Sequence, residues 1–173
     1  MDFQPLLQNE LVVVKPLERT DFNGLFAVAN DPAVWQQLPP RAQNRFKMQE
    51  FKEHFNNLLQ TGTAFCILDA KTNKPIGTTK YYIHKNLLYM GGTFLGKKYW
   101  GGKYNRAFRS LLIEHAFEHY TDIHIHITAD NKRNRRATSK LGFHEAFSEV
   151  FDNGYTYVTY KCTKGHWYSV ETN

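Results

Sequence analysis

The stretch Thr93-Phe94-Leu95-Gly96-Lys97-Lys98-Tyr99-Trp100-Gly101-Gly102-Lys103-Tyr104-Asn105-Arg106 carries a strand through a glycine turn into a helix. That junction suits phosphate. The first amides of a helix have no internal partner and point outward, so a diphosphate accepts several of them while meeting the positive end of the dipole. Each charge-assisted hydrogen bond contributes about 1.5–3 kcal/mol, against roughly 0.3–1 kcal/mol for the dipole, so the amides dominate anchoring. Gly101 and Gly102 let the backbone approach closely. A Gly-Gly pair before a helix also describes an ordinary tight turn, but a second pair, Gly91-Gly92, interrupts the preceding strand, where it marks a bulge or a close backbone approach. A strand splayed there would offer free amides and carbonyls to an amide-bearing ligand, as in strand addition.

Other chemistry-bearing clusters are less specific. His115-Ala116-Phe117-Glu118-His119 fits the His-x-x-Glu-His spacing of one class of zinc peptidases, but the helix that carries it is needed for packing, and histidines in a last turn complement the helix dipole. His124 and His126 alternate on one strand face, where packing or solvent contact is the default. No metal site is expected. Cys66 and Cys162 have neither the number nor the spacing of a disulfide framework or a zinc cage and read as unpaired thiols. The basic run Lys132-Arg133-Asn134-Arg135-Arg136 lacks the interleaved aromatics of a single-strand platform, so nucleic acid is not the favoured partner.

The elements that must position these residues follow from composition and period. At 173 residues with 42% hydrophobic and 15% aromatic content, the chain has enough apolar surface for a core and reads as one domain over residues 1–173. The net charge of +6 attracts anions without identifying them. No apolar run approaches the roughly 18 residues of a membrane span, and the N-terminus lacks an export signal, so a soluble cytoplasmic protein is expected. Leu11 to Val14 form a strand closed by Pro16, and Asp21 is placed as N-cap of a helix through Val28. Met48, Phe51, Phe55, Leu58 and Leu59 recur at helical spacing, with Gly62 as a stop and a loop containing Pro39-Pro40 before them. Strands follow at residues 64–68, 76–83 and 87–95, then a helix over 105–120, a strand over 123–128 and a short helix over 133–140 capped by Gly142. Asn153-Gly154 turns a closing hairpin. The fold class is α/β (α+β): a mixed, mostly antiparallel central sheet with helices on both faces and a parallel pair at residues 87–96 and 123–128.

Tyr99-Trp100-Gly101-Gly102-Lys103-Tyr104-Asn105, then His115-Ala116-Phe117, then Asn131 and Leu141-Gly142-Phe143, resemble the GNAT superfamily of acyl-CoA-dependent N-acyltransferases. The resemblance is nearest to the branch that acetylates ribosomal-protein and other protein N-termini. It covers nearly the whole chain, with Leu11 to Leu17 before Asp21 matching the opening strand and helix, Ile76-Gly77 the central strand, and the Asn153-Gly154 hairpin with Trp167 the ending. It implies acetyl-CoA as cosubstrate. The segment from Trp100 through Gly101, Gly102, Lys103 and Tyr104 to Asn105, with Arg106 after it, corresponds to the family's pyrophosphate loop. Backbone groups of Phe94 and Leu95 would meet the pantetheine and the thioester, while Asn131 and Asn134 would contact the pantetheine arm. The sequence departs from the pattern at Lys103, Asn105 and Trp100, where the family has Gly, Gly or Ala, and Gln or Arg. Thr138 stands where many members carry the tyrosine that protonates the departing thiolate.

The implied reaction is direct attack of a neutral primary amine on the thioester, with strand amides stabilising the oxyanion and no protein nucleophile. Alkyl amines are mostly protonated at neutral pH, yet no carboxylate lies on the strand at 87–96, so water or one of Tyr89, His84 and His124 must serve as base. The acceptor, a protein N-terminus or a small-molecule amine, would be framed by residues 35–45 and 84–86, and a homodimer is left open. The alternative is a catalytically degenerate module of the same fold that holds CoA or RNA without turnover.

Overall fold

The computed structural model describes residues 1–171. Its strands are β1 (Leu7–Gln8), β2 (Val12–Pro16), β3 (Ala64–Asp69), β4 (Pro75–His84), β5 (Leu87–Leu95), β6 (Asp122–Thr128), β7 (His144–Val150) and β8 (Thr156–Thr163). They form one mixed sheet in the order β1-β2-β3-β4-β5-β6-β8-β7. The pairs β1/β2, β2/β3, β3/β4, β6/β8 and β7/β8 are antiparallel, and β5/β6 is the expected parallel pair, in register at Tyr89 and His124. The helices are α1 (Phe22–Ala29), α2 (Pro40–Gln43), α3 (Met48–Gln60), α4 (Lys103–Phe117), α5 (Lys132–Ser139) and α6 (Lys164–Glu171). No helix among the described residues is long and apolar enough to cross a membrane.

The chain separates into two compact units, residues 1–81 with 92–112, and residues 82–91 with those from 113 onward. In the first, the helical stripe read from the sequence buries Phe51, Phe55 and Leu58 of α3 with Leu25 and Ala29 of α1 and Phe94 of β5. Phe22 meets Phe55 edge-on at 5.2 Å, and Trp35 packs on Phe94 at 5.0 Å while its indole N–H donates to the Ala29 carbonyl at 2.7 Å. Trp35 is therefore spent in the core. In the second unit, Ile123, Ile125 and Ile127 of β6 stand opposite Cys162, Tyr160 and Val158 of β8, all buried. Cys66 and Cys162 are free and buried, and burial raises both thiol pKa values, Cys162 to about 11.

Several local expectations need correction. Asp21 does not cap α1 with its side chain: a 3-10 turn over Arg19–Asp21 precedes the helix, and Asp21 Oδ2 accepts from the Glu18 amide at 2.9 Å and from Lys15 Nζ at 2.8 Å. The Pro39-Pro40 loop contains α2, because Pro40 at the first helical position gives up only an amide that would be orphaned anyway. After β8 the chain continues as α6, which the sequence reading did not place. Within β5, Gly92 takes φ +61, so the strand bends through a left-handed residue at the glycine pair.

His54 on α3 lies edge-on to Trp35 at 5.8 Å, and burial, reinforced by the charges of Arg45 and Lys80, lowers its imidazole pKa from 6.5 to about 3. Between those values the unfolded chain binds a proton that the folded chain refuses, so stability is lost as pH falls from 6.5 toward 3. The urea midpoint is expected to drop from pH 7 to pH 5, and to drop less in His54→Gln. An equal drop in both proteins would contradict the assignment.

Candidate active site

In the first unit, β5 ends at Leu95, a 3-10 turn spans Lys97–Tyr99, and α4 begins at Lys103. Between them Gly101 and Gly102 adopt φ +99 and +122, which a side chain would strain, although an added Cβ would meet nothing within 4 Å at either. Glycine is required here by backbone rather than by packing. The reversal leaves the start of α4 open: Arg106 is the first residue to donate a helical bond, to the Gly102 carbonyl at 2.9 Å. The amides of Gly101, Gly102, Lys103, Tyr104 and Asn105 donate to no backbone carbonyl among the described residues. Gly101, Gly102, Lys103 and Arg106 are exposed. Five amides at an exposed helix start are donors of the kind that an anion with several acceptor oxygens can use.

Side chains fix this loop from both ends. The Trp100 indole N–H donates to the Leu95 carbonyl at 2.9 Å, closing the turn onto the strand end. The Tyr104 hydroxyl donates to Asp69 Oδ2 at 2.8 Å, and with the Lys71 and Thr72 amides and the Thr72 hydroxyl it keeps that carboxylate below its ordinary pKa. Lys103, one of the departures from the family pattern, lies in the helix without positive φ, its ammonium 5.3 Å from the Tyr104 ring. A groove of about 940 Å³ adjoins the loop, lined by Val28, Asp31, Lys74, Gly96, Lys97 and Tyr99 among others. Lys74, Lys97 and Lys98 give its rim a cationic bias against one carboxylate, Asp31.

In the second unit, Asn131 is buried and caps α5: its Oδ1 accepts from the Asn134 amide at 3.1 Å, so the cap engages the oxygen and not the NH2. Arg135 is not available for an anion, because it binds the Glu145 carboxylate at 2.6 Å, the Tyr160 hydroxyl at 3.0 Å and the Ala129 carbonyl at 3.0 Å. The basic run read from the sequence is thus partly committed to structure. Thr138 on α5 is 0% exposed.

The sequence model of the GNAT acetyltransferase domain matches residues 12–144. The chain belongs to the GNAT acetyltransferases. Solved structures agree on the fold. A GCN5-related N-acetyltransferase from Brucella melitensis superposes with TM-score 0.82 at 15% identity, covering 98% of this chain and 83% of that one. A GNAT-family acetyltransferase from Bacillus anthracis gives 0.77 at 13% identity over 93% and 99%. The ribosomal-protein-S5-alanine acetyltransferase from Vibrio fischeri gives 0.71 at 17% identity over 94% and 98%. Among curated proteins no sequence match reaches significance. GNAT domains use acetyl-CoA as cosubstrate.

In this GNAT acetyltransferase the side chains considered as acid or base sit in unlike surroundings. His124 is 3% exposed, and its Nδ1 lies 3.2 Å from the Leu88 carbonyl, with burial lowering its pKa. Tyr89 is 1% exposed, and burial raises its phenol pKa. His84, at the end of β4, keeps 31% of its side chain exposed. The structure adds two residues that sequence reasoning did not single out as functional, His126 and Glu149, whose side chains gather with His84. The His-Ile-His alternation pointed to the first of them; nothing in the sequence pointed to Glu149.

The open amides generate a test. Gly101→Ala and Gly102→Ala together impose strain of about 1–2 kcal/mol per residue and push the backbone toward negative φ, turning the amides away. Circular dichroism should stay unchanged, since both sites face open space, while CoA affinity by calorimetry should fall tenfold or more. Unaltered affinity would show that the anion is held elsewhere.

Proposed function

We propose that the chain is an acetyl-CoA-dependent N-acetyltransferase that passes the acetyl group to a primary amine, a protein N-terminus or a small-molecule amine, by direct attack. The observation that carries this reading is the row of amides from Gly101 to Asn105, at the start of the 15-residue helix α4, that donate to no backbone carbonyl among the described residues. A pyrophosphate presents enough acceptor oxygens to use several of them at once, at about 1.5–3 kcal/mol each. The residues present fit that group: the backbone is held in the required reversal by two left-handed glycines, the loop is pinned by Trp100 and Tyr104, and the neighbouring lysines supply positive potential. Asn131 supports the reading with a buried amide donor whose oxygen is already committed to its cap.

The chain's part in the transfer is to bind and orient. Trp100 and the glycines fix the carrier's phosphates; the burial of Tyr89, His124 and Thr138 keeps their protons out of exchange with an incoming amine. Of the candidate bases only His84 keeps part of its side chain exposed, and the amine loses its proton to solvent, with no side chain covalently attached. Burial of Thr138 at the position where a proton donor is expected also supports a second reading, a module that holds CoA without turning it over.

Thiol release from acetyl-CoA, followed across N-terminal peptides, polyamines and aminoglycosides, separates the two. At least one amine class should support turnover. With that acceptor, kcat/KM should rise about tenfold per pH unit up to the amine's own pKa, as expected when solvent takes the proton. CoA binding without turnover for any amine would favour the module, and a plateau set by a protein group near pH 6–7 would assign a side-chain base.

A further inference from the structure

The second unit contains three buried polar atoms that hydrogen-bond to nothing and face one another. They are Nε2 of His84, Nε2 of His126 and Oε1 of Glu149, contributed by the end of β4, by β6 and by β7. His126 Nε2 lies 3.6 Å and His84 Nε2 3.9 Å from Glu149 Oε1, and one ligand atom from each of the three residues lies within 4.8 Å of the others. These separations are too long for hydrogen bonds. An orphaned buried polar group costs about 1–3 kcal/mol, and folded proteins rarely leave one without a partner, so three converging on one point call for a common partner.

We propose that His84, His126 and Glu149 bind a divalent transition-metal ion of the zinc class. Two imidazole nitrogens and a carboxylate oxygen form a donor set that zinc takes with a fourth position open. At zinc–ligand distances of about 2.0–2.2 Å, tetrahedral ligands stand roughly 3.3–3.6 Å apart. The two imidazole-to-carboxylate separations of 3.6 and 3.9 Å approach that spacing, so they need close by only a few tenths of an ångström.

The surroundings organise the ligands. Lys85 Nζ donates to the other oxygen, Oε2, of Glu149 at 2.5 Å, which leaves Oε1 as the atom that faces the imidazoles. The Tyr82 hydroxyl lies 3.1 Å from His126 Nδ1. When it accepts the Nδ1 proton, the lone pair of His126 is left on Nε2, the atom that faces the cluster. Tyr89 stacks on His126 with centroids 4.1 Å apart, and Phe151 meets His126 edge-on at 5.1 Å and flanks His84 at 5.7 Å. These rings restrict the imidazoles to few orientations.

The site differs from the His115/His119 spacing that the sequence offers on α4. There the two rings lie edge-on at 5.8 Å, and the carboxylate that pairs with His115, Glu118, is 67% exposed.

The test uses the full chain, stripped with a chelator and titrated with Co2+ and then Zn2+. One equivalent of Co2+ should produce the visible bands of a low-coordinate site, and Zn2+ should displace it. Glu149→Gln and His84→Gln should each weaken Co2+ at least tenfold, while His119→Gln leaves binding unchanged. Absence of Co2+ or Zn2+ binding below millimolar concentration overturns the proposal, as does binding that survives both ligand variants or disappears in His119→Gln. Should a variant fail to fold, X-ray absorption of the zinc-loaded wild type decides the matter. Two imidazoles and light oxygen donors support the site, and sulfur in the shell or a single imidazole overturns it.

Discussion

The candidate site depends on a mismatch between chain direction and hydrogen bonding at the start of α4. The helix cannot satisfy its own first amides, and two residues at φ +99 and +122 turn the chain so sharply that the preceding segment does not satisfy them either. A side-chain cap would have removed that capacity. At the first turn the side chains of Trp100 and Tyr104 direct hydrogen bonds elsewhere, to the strand end and to Asp69. The loop is thus held by its flanks, while the amides from Gly101 to Asn105 donate to no backbone carbonyl among the described residues.

Much of this was legible in the sequence because the constraint is local. Only glycine adopts these angles without strain, so Gly101-Gly102 between a strand pattern and a helical period identified the reversal directly. The same holds for Gly62, Gly142 and Gly154, all at positive φ where helix or hairpin ends were read. The parallel pairing of β5 with β6 followed from a strand, helix, strand order, and the family match then accounted for the rest of the sheet. Lys103, a departure from the family pattern, carries no strain because the helix begins at that residue.

What escaped the sequence depends on long-range register or on weak local preference. β1 is two residues long and exists only through pairing with Val13 and Val14. α6 follows β8 without a breaker and carries Gly165 in its first turn, so neither end announced a helix. Glu149 was invisible for a different reason. β7 is mostly exposed, and a register shift between Glu145 and Phe147 changes which side chains share a face. Reading alternation along the strand therefore cannot place Glu149 beside His84 and His126; only the pairing with β8 does.

The most direct measurement of the central claim is the amide spectrum of 15N-labelled protein during titration with CoA. Gly101 to Asn105 should show the largest shifts, with downfield movement as their N–H groups take up phosphate oxygens, and inorganic pyrophosphate should move the same peaks less far. Saturation with CoA that leaves those five resonances in place, while others shift, would contradict the account.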